Sequence, residues 1–577
     1  MTGPTATTTL LATTDLHGQV RHFDYAADAP YADALGHGIG LAKVASVVDG
    51  VRAETSVAMV LDAGDLLQGG ALDAADSARV AGTEQPTHPV AAAMNLIGYD
   101  AVALGNHDLD DGVDALQAFA RQLEAPILAG NVRAEPTGER LLGAVLLRDV
   151  VVEAARPPVR VGVVGLTTAA RVVVAHAAER GLRIDDPVAE APALVDEARD
   201  RGADVVVVLI HSGVEHDDAE AAAGENVALR LAREVAGVDV VVAGHSHVEV
   251  AERRVVQPGT GREVLVTQPL CWGMRVGRVD VGLRYGSDRR WHLVSARSTL
   301  LDTAAVPEYP DVVEAVAAEH VGARRRGAEV VGQVARTIDA VEARYRPSAS
   351  VDLLAHAAAD GVRRPLRDVG LDHLPLLCAT APPSRTAVLP AGAVLRRHVD
   401  ALCPHDHRPV AVLVDGRRLR EHLEQAAGFF AATSSAGPHH PDTLTNAPGP
   451  DRPAGRADFD LDVVHGLDAA LTYDLDLARP LGQRVVSVRH GGTEVGDAQC
   501  FVLVTTRYRL RGAGAYPVTG AEVVAEASEG LRNLVVARLR RGHDLGPATD
   551  HWRLLHRGSP LVVDDGAYGS ECAEVRA

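Results

Sequence analysis

Lysine is almost missing from this chain. Of 57 basic residues, one is Lys43 and the others are arginine. Against 77 acidic residues they leave a formal charge of −20. Duplex nucleic acid is excluded as a partner, because neutralising phosphates needs clustered cationic side chains. Aromatic residues are 3% of the 577, so the core must be built from Ala, Val and Leu. No run of 18 apolar residues occurs, so no membrane-spanning helix is expected and no membrane partner is inferred. Cysteine is sparse: Cys271, Cys378, Cys403, Cys500 and Cys572 are scattered and odd in number. They predict reduced, inert thiols rather than a disulfide framework. The opening MTGPTATTTLLATTDLHG has no basic n-region, so a signal peptide is not expected. The chain as given is read as cytoplasmic, or exported if an upstream segment is missing. Oligomeric state is left open.

What is present is a repeated pattern. Short apolar runs end in polar residues: Thr8–Ala12 before Asp15, Val57–Leu61 before Asp65, and Ala101–Leu104 before Asn106. Val205–Ile210 stands before His211, and Val238–Ala243 before His245. Unbroken apolar runs predict strands buried on both faces. Helical patterns over Gly40–Ala53, Gly112–Leu123, Ala189–Arg201 and Asn226–Val235 lie between them. Strands alternating with helices predict an α/β layered domain over residues 1–300. Further strands are predicted at Val159–Leu166, Val264–Thr267 and Val276–Leu283. Pro310–Arg326 reads as one helix, taken as a linker over 301–328 ahead of a smaller α/β domain at 329–577. Thr433–Gly455, rich in Pro, Gly, Ser and Asn, reads as a flexible surface loop.

In open α/β sheets, ligands gather at the carboxyl ends of strands. Asp15-Leu-His17-Gly18, Gly64-Asp65, Gly105-Asn106-His107-Asp108, His211 and Gly244-His245-Ser246-His247 would therefore converge. Asp, Asn and His without thiolate suit divalent Mn, Zn, Fe or Mg. Seven such ligands are too many for one ion. With Asp65 bridging, one metal takes Asp15, His17, Asp65 and His247, and a second takes Asp65, Asn106, His211 and His245. Two ions about 3.5–4 Å apart clamp an in-line phosphoryl displacement. His107, left without a metal, can face the transferring phosphoryl group or the leaving oxygen, with Asp110 orienting it.

The series DLH, GD, GNHD, H, GHSH resembles the calcineurin-like metallophosphoesterases. Over nearly its whole length the chain is similar to the bacterial 5'-nucleotidase family. Thr13-Thr14-Asp15-Leu16-His17-Gly18, Gly64-Asp65-Leu66-Leu67-Gln68-Gly69 and His211-Ser212-Gly213 look more like its 2',3'-cyclic-nucleotide 2'-phosphodiesterase/3'-nucleotidase branch. The resemblance implies a β-sandwich flanked by helices that holds the two metals, and a C-terminal domain that binds the nucleotide. It also matches His107 with Asp110 to a catalytic dyad.

A nucleobase is gripped by aromatic stacking, worth roughly 1–3 kcal/mol per base. Phe429, Phe430, Phe459, Tyr473, Phe501, Tyr508 and Tyr516 are the aromatics available in the second region. Among them the resemblance points to Tyr508, in Thr506-Arg507-Tyr508-Arg509 ahead of Gly512-Ala513-Gly514-Ala515-Tyr516-Pro517. It points also to Phe459, in Ala457-Asp458-Phe459-Asp460-Leu461-Asp462-Val463. Gly512 and Gly514 would let the backbone approach the ligand. Leu377–Pro382 and Cys403-Pro404-His405-Asp406-His407 depart from the family pattern, and the pentapeptide reads as a surface loop. The expected reaction is hydrolysis of 2',3'-cyclic nucleotides to 3'-nucleotides by a metal-bridging hydroxide, followed by phosphate release from nucleoside monophosphates. The alternatives are a 5'-nucleotidase or nucleotide-sugar hydrolase, a hydrolase of a non-nucleotide ester, and a nucleotide-binding protein without catalysis.

Overall fold

A computed structural model describes residues 6–72, 87–215, 224–258, 260–447, 455–542 and 546–564. Cys572 and part of the Thr433–Gly455 segment, 448–454, lie outside them. The chain divides into two units, Met1–Arg325 and Arg326–Ala577.

In the first unit, Ala6–Thr13, Val57–Asp62, Ala101–Ala103 and Ile127–Leu128 are parallel neighbours in one sheet. Arg275–Tyr285 and Trp291–Asp302 extend it antiparallel. The second sheet has Val159–Thr167, Val205–His211, Val240–Ala243 and Glu263–Pro269 in parallel, with antiparallel edges at Val145–Val150 and Glu249–Val256. Alternate side chains of one strand go to different cores. Leu10, Ala12, Met59 and Leu61 meet Val161, Val163, Val207 and Leu209 between the sheets. Leu11 and Val60 turn to the helices Leu41–Glu54 and Pro89–Ile97. Val206, Val208 and Ile210 turn to the helix Pro187–Asp200. This is a β-sandwich flanked by helices, and it explains the unbroken apolar runs: both faces of these strands are covered.

The helix expected over Pro310–Arg326 is two helices, Pro310–Ala315 and Ala317–Gly327. The break is at Val316 (φ −115°, ψ 14°), which is fully buried with Val312 in the first unit's core. Leu301 and Asp302, placed in the linker from sequence, finish a strand. Tertiary burial overrides helical continuity here.

The second unit holds two five-stranded sheets. One runs Val463–Gly466, Leu376–Thr380, Cys500–Thr506, Pro409–Asp415, Ala525–Glu526. Ala355, Ala359 and Val362 of the helix Ala349–Asp368 pack on its Cys378, Val502 and Val504. The other is centred on Leu471–Asp476 and Trp552–His556. The flexible loop expected at Thr433–Gly455 is corrected in part. Pro441–Leu444 is a helical turn, Leu444 and Thr445 are buried, and Asn446 Nδ2 donates to Asp458 Oδ1 at 2.8 Å. Cys271, Cys378, Cys403 and Cys500 are free thiols. Among the described residues no helix is long and apolar enough to cross a membrane.

Candidate metal centre

Each ligand candidate of the first unit stands at or just past the end of a strand: Asp15 after Thr13, Asp65 after Asp62, Asn106 after Ala103, His245 after Ala243. His211 is the last strand residue. The loops interlock through their backbones. Asp15 N–H donates to Gly64 O at 2.8 Å, His17 N–H to Asp65 O at 2.9 Å, and Gly18 N–H to Leu66 O at 2.8 Å. Five candidates adopt left-handed backbone: Asp15 (φ 51°), His17 (48°), Asp65 (59°), His245 (73°) and His247 (51°). Each such conformation costs about 1 kcal/mol or more, and strain of this kind gathers at functional sites. A Cβ on Gly105 would run into the Asp65 amide and Oδ1, so this position needs glycine for the loops to nest.

Asp15, His17 and His247 offer ligand atoms within 4.8 Å of one another, and so do Asp15, Asp65 and His211. Asp65 Oδ2 faces both groups, 3.1 Å from His211 Nε2 and 3.7 Å from His17 Nε2. Sequence reading made Asp65 the shared ligand; in the structure the residue common to both groups is Asp15, and Asp65 belongs to the group with His211. His17 Nδ1 donates to Gln68 O at 2.7 Å and His211 Nδ1 to Ala63 O at 2.9 Å. These bonds fix the tautomers and leave each Nε2 with its lone pair toward the centre. His17 Nε2 then lies 3.1 Å from His247 Nε2. Buried Asn106 Oδ1 and His211 Nε2 have no hydrogen-bond partner. His245 stands outside both groups, its ring 5.3 Å from that of His211 and its Nε2 3.6 Å from Glu225.

The electrostatics favour positive charge. Burial lowers His211 and His247, but Asp65 outweighs it at the first and Asp15 at the second, raising them to about 9 and about 11. An unpartnered buried amide oxygen and imidazole nitrogens turned toward two buried carboxylates fit divalent cations, which would displace the imidazole protons. The donor set is imidazole, carboxylate and amide, as oxygen- and nitrogen-seeking metals require.

His107 is half-buried beside this centre, its amide donating to Asp65 Oδ1 at 2.8 Å. Its Nδ1 lies 2.8 Å from Asp110 Oδ2. Burial lowers His107, but Asp65 and Asp110 together hold it at about 9. Asp110 is itself placed by Arg180, which donates to its carbonyl at 2.8 Å, and by His176, 3.5 Å from its Oδ1.

Sequence reasoning gave Asp108 no role. It is buried, and its carboxylate accepts from the amides of Asp65 (3.1 Å), Leu66 (2.8 Å), Leu67 (3.1 Å) and Gly105 (2.9 Å). It ties the Asp65 loop to the Asn106 loop. Its place inside the GNHD motif was the available signal.

In the second unit Phe459 is 49% exposed, on the turn Asp458–Asp460. Tyr508 lies on the short helix Arg507–Leu510 and stacks near-parallel on His407, centroids 6.3 Å apart. Arg509, also missed, joins their segments: Nη2 donates to Phe459 O at 2.5 Å and to Asp462 Oδ1 at 2.9 Å. Gly512 (φ 110°) and Gly514 (φ 68°) have left-handed backbone, and a Cβ on Gly514 would sit 2.8 Å from the Tyr516 ring. They are accounted for by this turn. His405, Asp406 and His407 are exposed, and no candidate metal group among the described residues includes them.

Residues 8–249 match the calcineurin-like phosphoesterase family, and 330–521 match the C-terminal domain of 5'-nucleotidase. The chain is 26% identical over 598 residues to a 2',3'-cyclic-nucleotide 2'-phosphodiesterase/3'-nucleotidase of Salmonella typhimurium, covering 96% of this chain and 90% of that one. It is 24% identical over 584 residues to the trifunctional nucleotide phosphoesterase protein YfkN of Bacillus subtilis. That match covers 94% of this chain but spans 38% of the length of YfkN. A candidate 5'-nucleotidase of Staphylococcus aureus shares the fold at a TM-score of 0.76 and 21% identity, over 95% of this chain and all of that one. Members of the phosphoesterase family use divalent metals, and this chain joins a calcineurin-like phosphoesterase domain to a 5'-nucleotidase C-terminal domain.

Proposed function

We propose that the protein opens 2',3'-cyclic nucleotides to 3'-nucleotides and releases phosphate from nucleoside monophosphates, using two divalent metals. The observation that carries this reading is the pair of overlapping carboxylate–imidazole groups beside the His107–Asp110 pair. Asp15, His17, Asp65 and His247 would hold one ion, and Asp65, Asn106, His211 and His245 the other. Cations bound there supply Lewis-acid chemistry, neutralising phosphoryl charge and making water a nucleophile near neutral pH.

The chain's own residues do the rest. Asp110 fixes the ring of His107 through Nδ1, leaving Nε2 to face substrate. As an imidazolium, His107 stabilises the phosphoryl oxygens and gives a proton to the leaving oxygen. In a cyclic nucleotide the bond from phosphorus to the 2'-oxygen breaks, water supplies the new oxygen on phosphorus, and the 2'-oxygen takes the proton. Phe459 and Tyr508 would stack on the base.

The test is turnover of 2',3'-cyclic AMP, 3'-AMP and 5'-AMP after chelation and repletion with Mn. The cyclic substrate is coupled to a phosphomonoesterase, because ring opening alone frees no phosphate. Metal-dependent turnover of the cyclic and 3' substrates is expected. Preference for 5'-AMP would keep the mechanism and move the substrate to the 5'-nucleotidase reading. Turnover of none by the metal-loaded protein would refute a nucleotide substrate.

A further inference from the structure

The second unit brings another set of metal-ligating side chains together. Asp352 lies in the first turn of the helix Ala349–Asp368, His465 in the strand Val463–Gly466, and His551 directly ahead of the strand Trp552–His556. One ligand atom from each lies within 4.8 Å of the other two. His465 and His551 are 5% and 4% exposed, and their ring centroids are 4.1 Å apart.

The surrounding bonds orient all three groups. His465 Nε2 is 2.8 Å from Asp352 Oδ1, and Asp352 Oδ2 accepts the Thr549 amide at 2.8 Å. His551 Nδ1 donates to Thr549 O at 2.6 Å, which fixes its tautomer and leaves a lone pair on Nε2. That nitrogen is buried without a hydrogen-bond partner, and so is His465 Nδ1. A buried polar atom without a partner calls for an explanation. The Asp352–His465 pair alone needs no ion, but it leaves the His551 lone pair unexplained.

We propose that Asp352, His465 and His551 bind a divalent cation in the second unit, separate from the centre of the first. Two imidazoles and one carboxylate suit a borderline ion such as Zn²⁺ better than Mg²⁺ or Ca²⁺, which prefer all-oxygen cages. Its two histidines are buried, and the cluster fastens a helix to segments 113 and 197 residues away. Its role is therefore a structural clamp, since closing such long loops removes chain entropy from the unfolded state.

The direct test is a crystal of the full chain soaked in Zn²⁺, with anomalous difference maps across the zinc edge. A peak about 2.0–2.2 Å from a carboxylate oxygen of Asp352 and a ring nitrogen of each histidine is expected. Peaks in the first unit with none at this cluster would overturn the proposal. In solution, His551→Ala should carry one zinc fewer per chain than the unaltered protein. It should also lose the zinc-dependent rise in melting temperature of the second unit, while still hydrolysing bis(4-nitrophenyl) phosphate. Equal zinc content and an equal rise would overturn the proposal too. Should His551→Ala fail to fold, the anomalous map of the unaltered protein decides.

Discussion

Replacing Asp462 with asparagine tests how the second unit holds the two aromatics assigned to the base. Asp462 is 3% exposed. Its Oδ1 accepts from Arg509 Nε at 3.0 Å and Nη2 at 2.9 Å, and its Oδ2 lies 2.9 Å from His422 Nε2. Arg509 in turn holds the Phe459 carbonyl and follows Tyr508 directly in sequence. Breaking a buried pair strands the partner charge, at a cost of about 3–5 kcal/mol. Asp460 Oδ1, 3.8 Å from Arg509 Nη1, compensates part of it, so about 3 kcal/mol is expected. Burial raises Asp462, but Arg509 and His422 outweigh it and hold it at about 2, below its ordinary 3.8. A depressed acid stabilises the fold above its unfolded pKa and loses that stabilisation as pH falls through the folded value. The shift corresponds to about 2 kcal/mol at pH 7, of which about half is gone at pH 3. The penalty of Asp462→Asn should therefore shrink by about 1 kcal/mol between pH 7 and pH 3. Calorimetry at both pH values reads this from the second unit's transition. In kinetics, KM for 2',3'-cyclic AMP should rise about 10-fold, the lower part of what loss of base stacking gives. Turnover of bis(4-nitrophenyl) phosphate, which has no base, should hold. A penalty under about 1 kcal/mol, or equal losses on both substrates by a folded variant, would refute this reasoning.

Two further outcomes concern the first unit. Asp110→Asn removes a carboxylate that helps hold His107 at about 9, so the alkaline limb of kcat/KM should move to lower pH. The sign follows from the role: a general acid works while protonated, and losing the anion lets its proton go earlier. A limb that stays in place in the pH–rate profile would remove His107 as the acid. Asp108→Ala takes the acceptor from four backbone amides, so a loss of about 2–4 kcal/mol is expected together with reduced metal retention. Metal analysis after dialysis measures the second effect; full occupancy would show that the loops hold without the Asp108 tie.

Much of the first unit was legible in sequence because its signals are local. Val205–Ile210 reads as a strand buried on both faces because six apolar residues in a row have no solvent side, and the sandwich covers both. The convergence of Asp15, His17, Asp65, His211 and His247 was legible because strand ends at one edge share a region of space. Pro310–Arg326 was misread because its pattern permits one helix, while the break at Val316 belongs to the core it enters. Asn446, in a segment rich in turn residues, was misread because its amide finds Asp458, a partner composition does not reveal.

The chain alone determined residue chemistry, order along strands and the kind of ion such donors accept, all carried by neighbours in sequence. Tertiary structure alone decided the left-handed backbone at Asp15 and Asp65, the four amides gathered on Asp108, the Arg509 link between Phe459 and Tyr508, and the meeting of Asp352, His465 and His551. The reason is separation: these groups come from segments with no common spacing, and only packing of the strands and helices that carry them brings lone pairs, charges and donors within hydrogen-bonding distance.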